Sequence, residues 1–85
     1  MEVHAHPRAS TRHPEIAFVD VERAFSAALC SRARNTEPVQ WVGAGLDARG
    51  RLLEFIAIET GPDRWLVFHA MVATKKVLRE LGLAR

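Results

Sequence analysis

His69 and the Lys75-Lys76 pair are the residues of this chain best suited to chemistry. They fall in one short stretch. The apolar run Trp65-Leu66-Val67-Phe68 delivers the histidine, and Ala73-Thr74 leads to the lysines where a final helix is expected to begin. Cations in the first turn of a helix meet its partial positive charge, at a cost of about 0.3–1 kcal/mol each. A sequence that keeps two of them close to an imidazole is suited to hold an anion, most simply a phosphate. The plainer reading is a solvated positive surface. A second imidazole, His13, follows Arg12. Breaking an RNA phosphodiester without a metal takes one group to accept the 2′-hydroxyl proton and another to protonate the leaving oxygen. It also takes cations to stabilise the charged phosphorane. Imidazoles titrate near neutrality, so His13 and His69 suit the proton transfers. Arg12, Lys75 and Lys76 suit the phosphate, and Arg51 and Arg64, at strand ends, can extend that surface.

Each of these residues also has a structural role open to it. His69 alternates with Trp65 and Val67, as a hydrogen-bonded sheet histidine would. His13, just before Pro14, suits the end of a terminal segment. Thr74 reads as the N-cap of the last helix. Glu54 interrupts an apolar strand and suits a pair with a neighbouring arginine, or the role of a base. Trp41 and Trp65 read as core or interface anchors, on which a base could also stack.

The elements that must position these groups follow from periodicity. Residues 1–12 are polar, contain Pro7 and show no period, which predicts a mobile arm. Phe18, Val21, Phe25, Ala28 and Leu29 recur at three- and four-residue spacing and predict a helix over 16–32. Asn35-Thr36-Glu37-Pro38 breaks it. Strands are expected over 39–46, 51–59 and 64–70, joined by turns at Asp47-Ala48-Arg49-Gly50 and Thr60-Gly61-Pro62-Asp63. Connections this short make the strands antiparallel neighbours. A helix over 73–82 follows, with Val77, Leu78 and Leu81 inward and Gly82 past its end. The expected fold is α+β: a single domain over 13–85, ordered α-β-β-β-α, with a three- to four-stranded antiparallel meander flanked by an N-terminal and a C-terminal helix. The strand over 51–59 is apolar on both faces, so one face calls for the last helix, a second copy or another protein.

Composition narrows the class. The chain has 85 residues, 48% of them apolar, a formal charge of +2 and a single cysteine. That describes one small globular domain, with a mild basic bias that neither demands nor forbids nucleic acid. Cys30 alone forms no internal disulfide and no Cys-rich zinc site, and reads as a buried structural thiol. His4 and His6 fall short of the three or four ligands of a metal centre. No metal or cofactor is expected. No run reaches the roughly 18 apolar residues of a membrane span, and the N-terminus lacks the apolar centre of a secretory signal. A soluble cytoplasmic protein is the expectation. There is no Gly-rich phosphate loop, Ser-His-Asp pattern or recognition-helix signature.

Three segments resemble the BrnT-like toxins, relatives of the RelE-type ribonucleases of bacterial toxin–antitoxin systems. Arg12-His13 with Ile16-Ala17-Phe18 and Asp20 resembles the opening of that family's first helix. Gly50-Arg51-Leu52-Leu53 resembles its central hairpin. Phe68-His69-Ala70 with Ala73-Thr74-Lys75-Lys76 resembles its closing strand and last helix start. The resemblance spans about residues 12–81. It implies a toxin acting as an endoribonuclease on messenger or ribosome-bound RNA, and an antitoxin-like protein encoded nearby as partner. Two departures stand out: Met71-Val72 occupies the place of a basic pair, and Ala9 that of an asparagine. An alternative is a non-catalytic interaction module that binds a peptide, a subunit or a second copy of itself through an apolar sheet face.

Overall fold

Turn and cap chemistry place the elements of the second half of the chain in the expected order, although the last two strands run on to Gly61 and Val72 and the final helix is confined to 75–80. In the computed structural model, which describes residues 1–84 apart from the Ser10 side chain, the elements run β1 (Glu2–Ala5), α1 (Pro7–Arg12), α2 (Phe18–Ser26), β2 (Ala28–Ala33), β3 (Gln40–Leu46), β4 (Leu52–Gly61), β5 (Arg64–Val72) and α3 (Lys75–Glu80). The β3–β4 turn is set by Asp47, whose Oδ1 accepts the backbone N–H groups of Arg49 and Arg51 at 2.8 Å each. Gly50 supplies the left-handed residue at φ 78°. Thr74 caps α3, its hydroxyl accepting the Val77 N–H at 3.4 Å. Gly82 follows the helix at φ 75°.

The expected meander is incomplete. The strands form one five-stranded mixed sheet, ordered β1-β5-β4-β3-β2, in place of three or four antiparallel strands between two helices. Two segments account for the difference. Residues 1–12, expected as a mobile arm, supply β1, which runs parallel to β5 from Glu2 opposite Arg64 to Ala5 opposite Val67. They also supply α1, capped by the His6 ring, whose Nδ1 accepts the Arg8 N–H at 3.1 Å, with Pro7 opening the helix. Backbone pairing along β5 and burial of Val3 outweigh the segment's polar composition. The helix expected over 16–32 stops at Ser26, and residues 28–33 turn outward as β2 along the edge of β3. Ala28 and Leu29 continue the helical spacing by coincidence: both are exposed. An unpaired β3 edge gains backbone hydrogen bonds from β2, which a longer helix would not provide.

The core has two faces. On one, Leu53, Phe55, Ala57, Val67 and Ala70 pack beneath Val21 and Ala24 of α2, with Ile16 and Val3 closing the sides. Gly45 lets α2 rest on the sheet backbone, since any side chain there would collide with the Ala24 carbonyl. On the other face α3, one of the three covers the sequence left open, packs Val77 and Leu81 on Val42 and Ala44 of β3, with Leu52 and Ile56 of β4, Leu78 and Cys30 against them. Cys30 is half-buried, and its Sγ lies 3.5 Å from the Leu81 carbonyl oxygen. Among the described residues no helix is long and apolar enough to cross a membrane.

Candidate active site

A β-bulge decides which way His69 points. Val67 pairs with Ala57 and His69 pairs with the adjacent Ile56, so Phe68 is an extra residue on β5. Strict alternation from Trp65 and Val67 would put His69 on the α2 face. The bulge moves it to the opposite face, where Ile56 and Glu54 lie. There the His69 Nε2 meets the Glu54 Oε2 at 2.8 Å.

Glu54 is only 3% exposed, yet its carboxylate is fully engaged. Its Oε1 accepts both the Thr74 N–H at 2.7 Å and the Thr74 hydroxyl at 2.6 Å. Burial works to raise the Glu54 carboxyl. The hydrogen bonds from the Thr74 hydroxyl, His69 and the Thr74 N–H outweigh burial and hold the carboxyl below its ordinary value. An ionised carboxylate has no proton to give, so the shared proton sits on His69 Nε2. That leaves Nδ1 as the ring nitrogen able to exchange a proton. A buried carboxylate that fixes one imidazole nitrogen and leaves the other for chemistry is the orienting arrangement of a general base.

His13 arrives from the other side of the cleft. It ends α1, where its N–H reaches the Ala9 carbonyl at 3.2 Å. Its ring lies edge-on to His69, with centroids 6.1 Å apart at 89°. Its Nδ1 is 3.4 Å from Glu15 Oε1, which leaves Nε2 for other partners. Both imidazoles are 26% exposed, at the wall of a cleft and not in the core. Arg8 and Arg12, one turn apart on α1, line the same cleft of about 260 Å³ with Ile56 and Phe68.

Of the residues singled out in the sequence, the fold gathers His13, His69 and Arg12. It ties Thr74 to them through Glu54, and Lys75 and Lys76 follow Thr74 as exposed side chains. Arg51 and Arg64 are elsewhere. The Arg51 guanidinium is engaged with Asp47 at 2.7 Å and Asp20 at 3.3 Å. Arg64 lies at the far end of β5, its Nε 3.0 Å from Glu2. Two cleft residues carried weak sequence signals. Glu54 showed as an acid in an apolar strand, and its partners are His69 and Thr74, not an arginine. Arg8 is visible only once the segment 7–12 is known to be helical. No protein-family model, curated protein or solved structure matches the chain.

Proposed function

We propose that the cleft is the active site of a small endoribonuclease, the toxin member of a toxin–antitoxin pair working in the cytoplasm. The observation that carries this reading is the pair of partly exposed imidazoles, their centroids 6.1 Å apart, with one held by a buried carboxylate. In the reaction, His69 Nδ1 takes the 2′-hydroxyl proton while the 2′-oxygen attacks phosphorus. Glu54 stabilises the imidazolium that forms. The bond from phosphorus to the 5′-oxygen breaks, His13 delivers a proton to that oxygen, and a 2′,3′-cyclic phosphate remains. Arg8 and Arg12 face the phosphorane charge, and both proton transfers are supplied by side chains.

The test uses a short RNA containing one 2′-deoxynucleotide, compared with its all-ribose counterpart. Cleavage of the ribose strand to a cyclic phosphate, with the step at the deoxy position blocked, is expected. Ribose RNA that stays intact at enzyme excess would sink the proposal. Lys75 and Lys76 bear on binding. α3 is only six residues long, so any hold on phosphate falls to the lysine side chains. Lys75→Ala and Lys76→Ala are each expected to flatten the dependence of log affinity on log salt by roughly 0.7 for single-stranded RNA. Thermal stability should hold or rise slightly, because a cation leaves the helix start. Unchanged binding and slope would return both lysines to a solvated surface.

One observation favours the non-catalytic alternative. β1 pairs with β5 only as far as Val67, so among the described residues Phe68–Val72 has no strand partner on its outer side, where α1 packs against β5, and Val72 is 49% exposed. A peptide of an antitoxin-like protein, or a second copy, could extend the sheet there. It would lie across the cleft and inhibit by occlusion. Light scattering with and without the neighbouring gene product separates the two occupants.

A further inference from the structure

We infer a second binding site, for a quaternary ammonium head group, on the α2 side of the sheet. A hollow of about 210 Å³ is lined by Phe25, Ala28, Ser31, Trp41, Phe55 and Trp65. Drug-sized ligands occupy roughly 300–1,000 Å³, so this space suits a head group and not a whole nucleotide. Trp41 stands opposite Ala57 in the ladder, and Ala57 opposite Val67, two residues from Trp65. The two indoles therefore flank β4 on one face. Their rings are 6.2 Å apart at 84°, and Phe25 is 5.5 Å from Trp65 at 53°.

Ring orientation selects the ligand. A flat base stacks on one face and gains little from a second ring at right angles. A rounded cation gains from the electron-rich faces of both walls of such a corner. Charge points the same way. Among the described residues no cationic side chain lines the hollow. Glu59 sits directly opposite Trp65 in the β4–β5 ladder, hence on the same face. It is exposed, and its carboxylate makes no hydrogen bond or ion pair among the described residues. An unpaired carboxylate beside the rings attracts a cation and repels a phosphate. This site lies on the opposite face of the sheet from Glu54 and His69 and does not depend on the ribonuclease reading.

Trp41 and Trp65 are the only tryptophans, and the chain has no tyrosine, so intrinsic fluorescence reports on this hollow alone. The intact protein is titrated with choline and with 3,3-dimethylbutan-1-ol, its neutral carbon isostere. A saturable fluorescence change with choline is expected, with the isostere weaker by roughly tenfold. Glu59→Gln should narrow that gap without altering the circular dichroism. A blocked trimethyllysine peptide, run beside choline, identifies the source: tighter binding of the peptide places the head group on a protein, and equal binding on a small molecule. Equal responses to choline and the isostere would overturn the inference in favour of a merely apolar hollow. A response to adenosine monophosphate but none to choline would overturn it in favour of a stacked base.

Discussion

Replacing Arg51 by alanine is expected to lower the unfolding free energy by roughly 3–5 kcal/mol, the penalty for stranding a buried charge. That is a large share of the roughly 5–15 kcal/mol that holds small domains together. The charge left behind is Asp20, only 2% exposed in the first turn of α2. Arg51 reaches Asp20 at 3.3 Å, Asp47 at 2.7 Å and the Glu15 carbonyl at 3.3 Å. One guanidinium thus joins the β3–β4 turn to the start of α2 and to the segment before it. Arg49, 65% exposed and 3.9 Å from Asp20, is a poor substitute. Arg51→Lys should recover only part of the loss, since an ammonium lacks the fork that reaches all three oxygens.

The same cluster shapes the acid response. Burial works to raise the Asp47 carboxyl, but hydrogen bonds from the Arg51 and Arg49 N–H groups and the Arg51 side chain hold it below its ordinary value. A depressed carboxyl contributes stability above its unfolded pKa and loses it as pH falls through the folded one. The parent should therefore weaken on acidification more than Arg51→Ala does. Urea unfolding at neutral and acid pH measures both effects. A variant with the parent's midpoint would leave Arg51 free for RNA after all.

His69→Ala is expected to slow RNA cleavage by about 10²–10⁴-fold, the usual contribution of a positioned general acid or base. The fold should survive, because Glu54 keeps both bonds from Thr74. Glu54→Gln tests the orienting role. The neutral amide cannot stabilise an imidazolium as a carboxylate does, so the rate falls and the pH–rate profile changes shape, while RNA binding is retained. His13→Ala should remove the opposite limb of that profile. Single-turnover cleavage across pH, with binding followed separately, reads all three. If His69→Ala cleaves at the parent's rate, the catalytic assignment falls, whatever binds in the cleft.

The parts of the fold legible in the sequence were those governed by local chemistry. Asp47 and Gly50 announced a turn, Thr74 a cap, and Val77, Leu78 and Leu81 an inward helix face. What escaped notice was set by distant backbone. β1 exists because β5 has an edge for residues 2–5 to pair with, and β2 because β3 has one. Neither edge is visible in a window of neighbouring residues. Leu29 shows the cost of trusting spacing alone: it fits the helical stripe and ends up 62% exposed on a strand. The site was half legible for a similar reason. His13 and His69 stood out by residue type, but their meeting depends on α1, which polar composition concealed. Pairing Glu54 with His69 required knowing that one residue of β5 is out of step.

That extra residue settles a question of parity along the strand. Val67 and Ala70 both face α2, and two positions lie between them where simple alternation has room for one. The bulge at Phe68 absorbs the surplus, so both apolar residues stay in the core while His69 faces away. Flattening the bulge would force a choice: keep Val67 in the core and turn the imidazole inward, or keep the imidazole and turn Val67 out. Substitution at Phe68 leaves the count intact, so many residue types can occupy it without moving His69. Loss of the position itself would leave His69 alone between Val67 and Ala70, and alternation would then hold it on the Glu54 face with no bulge at all. The strand can therefore change length at this point without changing its chemistry, and an alignment that opens a gap opposite Phe68 would still match histidine to histidine.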